Sequence, residues 1–127
     1  MSMRGADRIK QERIRQVDEE GYDDQHDIGH QMQLIEAASV YMTLAVAQIN
    51  GVSEREIKRA GHPKDAGAWP WGRNQYKPKD LIRNLERSGA LIAAAIDAIL
   101  LEQKKAEAID ELVALPDEAG VEAEDGN

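Results

Sequence analysis

Cysteine and phenylalanine are both absent from the 127-residue chain, and its aromatic side chains are two tryptophans and three tyrosines. Without cysteine there is no disulfide framework, no thiolate metal site and no cysteine nucleophile. Without phenylalanine the core has to be assembled from alanine, leucine, isoleucine and valine, which favours helices packed at short range. The two most apolar segments, 34–49 and 89–101, fall short of the roughly 20 residues that cross a bilayer. They also carry Glu36, Gln48 and Asp97. They read as buried helices, and no membrane partner is expected. The opening stretch MSMRGADRIKQERIRQ lacks the apolar run of a secretory signal, so the expected address is cytoplasmic. A glycine-rich phosphate loop is missing, as is any serine–histidine–aspartate order that would support nucleophilic catalysis.

The length suits one domain, and 42% hydrophobic with 31% charged residues suits a globular chain. The formal charge of −8 is unevenly spread. Residues 102–127 hold nine acids and two bases, a local −7, whereas residues 53–87 hold nine bases and five acids, a local +4. A cationic patch of this kind attracts anions even when the total charge is negative. The acidic end and the modest size of the patch argue against a nucleic-acid partner.

The chain reads as all-α: an antiparallel helical hairpin or a small bundle of three to four helices, with a long irregular loop before the last long helix. A first helix is expected from about Ala6 to Glu20, stopped by Gly21. Its apolar content is thin, so most of its surface must be wet or pair with charges. Asp27 is expected to cap a second helix running from Ile28 to about Gln48. Ser53 and Glu56 form a capping-box pattern that starts a short helix to about Ala60. Residues 61–77 form the irregular loop, of a length often tied to function. Pro78 would open the last helix, which could run to Leu115. Small residues in SGALIAAAIDA match Ala37, Ala38, Ala45 and Ala47 on the second helix, which predicts that the two clasp antiparallel. The distal part of the last helix, with Leu101, Ala108, Leu112 and Leu115, would fold back or meet another subunit, so a homo-oligomer is expected. The domain spans 1–115, and 116–127 reads as a disordered acidic tail.

Three groups are candidates for chemistry. In HDIGH, His26 and His30 stand four apart and could contact a polar ligand or, with nearby acids, a metal; the plain alternative is a capped helix entry. Glu36 and Asp97, on facing helices, could share a magnesium ion; two solvent-facing carboxylates are the plain alternative. The third group is AWPWGRNQYKPKD, residues 68–80, with Trp69, Trp71, Arg73, Tyr76, Lys77 and Lys79, continued by Arg83 and Arg87 one helical turn apart. Rings offer stacking faces for a base, guanidinium and ammonium groups hold phosphate, and a helix N-terminus adds free N–H groups. The alternative is a pair of indoles plugging the end of a bundle.

Taken in order, ERIRQ (12–16), EEGYDDQHDIGH (19–30), LIEAASVY (34–41), WPW (69–71) and KPKDLIRNLERSGALIAAAI (77–96) resemble a group of small helical proteins of tailed phages and prophages. The resemblance covers about Gln11 to Ile99 and implies a phage setting, hence the host cytoplasm, more than a chemistry. The combined expectation is an accessory, anti-defence protein that sequesters a nucleotide-like signal through Trp69, Trp71, Arg73, Tyr76, Lys77, Lys79, Arg83, Arg87, His26 and His30. No catalytic residue, metal or cofactor is assigned. The alternatives are a magnesium-dependent all-α nucleotide pyrophosphohydrolase and an adaptor that binds a host protein.

Overall fold

The computed structural model describes residues 3–21 and 23–114. The described residues contain five α-helices, one 3-10 turn and no strand. The helices are α1 (Gly5–Glu20), α2 (Asp24–Asp27), α3 (Gln31–Ile49), α4 (Glu54–Arg59) and α5 (Leu81–Ala114), with the 3-10 turn at Arg73–Gln75. The acidic segment 116–127 lies outside the described residues.

The expected clasp of α3 and α5 is present, and side-chain bonds give its register. Asn84 donates to Gln48 Oε1 at 2.9 Å, Ser88 Oγ to the carbonyl of Ala38 at 2.8 Å, and Gln31 to Glu102 at 3.1 Å. As α5 numbers rise, α3 numbers fall, so the pair is antiparallel. Ala37 and Ala38 pack with Ala94 and Ala95 in one buried cluster, and Ala45, Ala90 and Ala98 are buried as well. With methyl groups alone between them the backbones come close, and dispersion contacts accumulate along the seam. Leu34, Tyr41, Leu91 and Trp69 supply the bulk that alanine lacks.

α1 packs along the opposite side of α5 and runs parallel to it. Arg8 meets Glu86 at 3.2 Å, and further along Arg13 meets Asp97 at 3.9 Å. Ile9 sits over Gly89, where a β-carbon would lie 2.7 Å from its Cδ1 and 2.9 Å from its Cγ1. The missing side chain at Gly89 therefore lets Ile9 of α1 sit close against α5. The three long helices form one layer with α5 in the middle.

Three local details differ from the sequence reading. Asp27 does not cap the second long helix: Asp23 caps the single turn α2 by accepting the His26 N–H at 2.8 Å. Asp27 is 1% exposed and faces Arg13 at 3.5 Å. α3 then starts afresh at Gln31, after Gly29 turns the chain at φ 87°. Pro78 lies outside α5, because Asp80 accepts the Arg83 N–H at 2.9 Å and begins the helix there. Of the two fates expected for the distal half of α5, folding back is not the one adopted among the described residues. α5 continues as one 34-residue helix, about 51 Å long at 1.5 Å per residue. The Gly21 stop and the Ser53–Glu56 capping box are as expected.

The face of the layer turned away from the cleft is apolar and largely open. On α3 it carries Met32, Met42, Val46 and Ile49, with Ile35 and Ser39 at its edge toward α4; on α5 it carries Ile82, Leu85, Ile92, Ile96 and Ile99, with Gly89 at its edge beneath Ile9 of α1. Each set repeats at alternating steps of three and four residues. α3 is also the one helix among the described residues long and apolar enough, by length and composition, to cross a membrane; its other stripe is seated on α5.

Candidate functional site

On the opposite face, α1 and α3 diverge and leave a cleft floored by α5. The irregular loop folds over it and is tied down at several points. Trp69 is 4% exposed and packs edge-on to Tyr41 (5.6 Å between ring centres) and to Trp71 (5.4 Å). Its indole N–H donates to the Gly72 carbonyl at 2.9 Å, closing the WPWG turn. Pro70 holds the backbone between the two indoles stiff. The Tyr41 hydroxyl accepts the Lys77 N–H at 3.0 Å, and Arg87 donates to the Lys77 carbonyl at 2.8 Å. Lys64 donates to the Trp71 carbonyl at 2.8 Å.

The cleft encloses a cavity of about 220 Å³. α1 supplies Glu12, Arg15, Gln16 and Glu20 as one wall; Trp69, Trp71, Gln75 and Lys77 come from the loop; Tyr41, Arg87 and Leu91 complete it from α3 and α5. A second cavity of about 270 Å³ adjoins it, lined by His26, Asp27, His30 and Leu34. Trp71 and Gln75 line both, so the two cavities are neighbours at these side chains. The His26 and His30 rings stack, with centres 5.5 Å apart and planes 12° from parallel. His26 Nδ1 lies 3.0 Å from Asp27 Oδ1.

Charge in the α1 wall is tightly ordered. Arg15 donates twice to Glu12, at 2.9 and 2.7 Å, and again to Glu20 at 2.7 Å. Arg83 reaches Glu12 at 3.0 Å and Glu86 at 2.6 Å. Burial alone pushes the Glu12 carboxyl up, but hydrogen bonds and charge from Arg15 and Arg83 outweigh it, and the group sits below the ordinary glutamate value. The same hydrogen bond with Glu12 drives the Arg15 guanidinium further up. Glu12 is thus an ionised anchor whose lone pairs are already engaged.

On two residues that line the cavity, a buried polar atom has no hydrogen-bond partner among the described residues: Gln16 Oε1 and Arg87 Nε. Gln16 is 3% exposed, and its amide nitrogen points back to Glu12 at 3.4 Å. One orphan accepts and the other donates. Lys77, exposed at the mouth, meets no carboxylate among the described residues.

The residues singled out by sequence divide into two groups. Trp69, Trp71, Lys77 and Arg87 come together at the first cavity, and His26 and His30 join them across Trp71. The remaining four stand elsewhere. Tyr76 packs behind Trp69 at 5.2 Å and faces an apolar groove beside α4; burial pushes its phenol up. Arg73 is bound to Asp65 on the outer rim. The Lys79 backbone is taken up by Asn84 and Gln48 at the start of α5. Arg83 belongs to the Glu12–Glu86 ion-pair chain. The whole α1 wall, together with Tyr41 and Gln75, escaped sequence reasoning. A signal existed in ERIRQ: Glu12 and Gln16, one turn apart, occupy the inward face of a helix with little else to bury. Glu36 lines the groove beside α4, whereas Asp97 faces Arg13 on α1, so these two carboxylates do not converge. Among the described residues no group of three or more histidine, aspartate or glutamate side chains is placed to hold a metal ion. Comparison with protein-family models, curated proteins and solved structures finds no match to this chain.

Proposed function

We propose that the cleft binds a small anionic molecule bearing an aromatic ring, of nucleotide type, and retains it without catalysis. The observation that carries this reading is the convergence of Tyr41, Trp69, Trp71, Lys77 and Arg87 on one cavity. Rings and cations at one cleft suit a ligand that pairs an aromatic ring with negative charge. Trp71 offers a stacking face worth about 1–3 kcal/mol per base, and Lys77 stands at the mouth for a phosphate. The stacked histidines extend the site far enough for a sugar or a second ring. Glu12 is saturated by two guanidiniums, which suits a scaffold rather than a general base. In the phage setting implied by the sequence resemblance, such a protein acts in the host cytoplasm as an accessory factor that sequesters a nucleotide signal.

Titration calorimetry with mononucleotides, cyclic nucleotides and ADP-ribose derivatives tests the proposal. Saturable heat from at least one member is expected, and the ligand should be recovered intact after the protein is denatured. Conversion in the presence of magnesium would instead identify a hydrolase. Absence of heat from the whole panel would sink the reading.

A further inference from the structure

We infer that the open apolar face of α3 and α5 is the contact between two copies of this chain, which pair about a two-fold axis as a four-helix bundle. Ten of the twelve positions in the two stripes are apolar side chains 37–71% exposed, the others being Ser39 and Gly89. A standard stable interface takes about 800 Å² per partner, and ten large apolar side chains set side by side form a patch of that order. A monomer rarely leaves so large a patch in water. The layering points the same way. Domains pack two layers around a core, whereas the three long helices form one layer that the loop and α4 cover on the cleft side and along the edge of α3. A second copy supplies the missing layer.

The periodicity suits a helical occupant. Steps of three and four residues keep a stripe aligned with a neighbouring helix at a shallow crossing angle. Because both stripes are on one antiparallel pair, the face is complementary to itself and an isologous contact closes without free ends. A lipid surface fits less well: helices that lie on membranes flank their apolar side with lysine and arginine, and α3 contains neither. The contact also leaves the cleft free. Ile96 is five residues from Leu91, about 140° around the helix, so the pairing face points away from the cavity that Leu91 lines.

Sedimentation velocity on the full chain should give twice the 14.1 kDa chain mass at micromolar concentration; a monomer at 100 µM, stated as an order-of-magnitude ceiling for a specific dimer, would overturn the inference. Ile96→Arg should yield a monomer that keeps its helical circular dichroism. A variant that stays dimeric would place the interface elsewhere. Should it unfold instead, cysteine scanning decides, since the chain has no native thiol. Single cysteines at Met42, Ile92 and Ile96 should be protected from maleimide at high protein concentration and exposed on dilution, while one at Asp7 on α1 reacts at the same rate throughout. Equal reactivity at all sites would refute the contact. Flotation of monomeric protein with vesicles of mixed neutral and anionic phospholipid would assign the face to lipid and overturn it equally.

Discussion

Gln16 carries an unusual burden for a side chain 3% exposed, because one of its two polar atoms has no partner. That makes opposite demands on stability and binding. Gln16→Leu removes a buried orphan, so the melting temperature should hold or rise by the equivalent of up to ~1 kcal/mol. Ligand affinity should fall about tenfold, the equivalent of ~1.4 kcal/mol. Thermal melts and calorimetry read the two effects separately, and a loss of both would assign Gln16 a merely structural role. Glu12 behaves differently. Its carboxyl is depressed in the folded state, so its contribution to stability is fully present above the unfolded glutamate value, about 4.3. It is lost as pH falls through the lower folded value. Acid melts should therefore show a drop below about pH 4 that is missing in Glu12→Gln. That variant should also lose about 1–3 kcal/mol at neutral pH, since Arg15 and Arg83 lose their shared anion while each keeps a second carboxylate.

Among the helices, α1 makes a close apolar approach to α5 at Gly89, beside its ion pairs with Arg83, Glu86 and Asp97. Gly89→Ala ought to help α5 by up to ~1 kcal/mol through helix propensity alone. The added carbon would meet Ile9 at under 3 Å, however, and overpacking of this kind costs about 1–3 kcal/mol. The net outcome expected is destabilisation, together with weakened ligand binding as the α1 wall moves outward. In an Ile9→Ala background the same change should become neutral or favourable. Denaturant titration of the four proteins measures the coupling, and additivity would contradict the contact. The existence of α1 could be read from local spacing and from Gly21, but its place on α5 could not. Nothing in GADRIKQERIRQ shows that Arg8, Glu12 and Arg15 find their charges in Glu86, Arg83 and Glu20.

At the level of the folded chain, the two faces of the layer predict two mass-action effects. A ligand that binds only the folded cleft raises stability by about 2.7 kcal/mol at a hundredfold excess over its Kd. Pairing through the open face makes the melting temperature climb with protein concentration. The two are separable, because Ile96→Arg should abolish the concentration dependence while the ligand-induced shift persists.

The all-α class, the α3–α5 clasp and the Ser53 cap were legible because each rests on residues close in sequence: alanine at helical spacing, a serine three residues from a glutamate. The concentration of rings and cations in 68–80 was equally plain, and Trp69, Trp71 and Lys77 do meet at one cavity. What the chain alone did not disclose is which way each cation points. Arg73 and Lys77 are four residues apart in one loop, yet one is bound to Asp65 on the rim and the other faces the cleft. Asp27 has the residue type of a cap, but a buried position beside Arg13 claimed it instead. Local propensity acts over three or four residues, so it determined the helices and their apolar stripes. The partner of a charge is chosen through space by elements distant in the chain, so only the packing of α1, α3 and the loop around α5 decided the cleft.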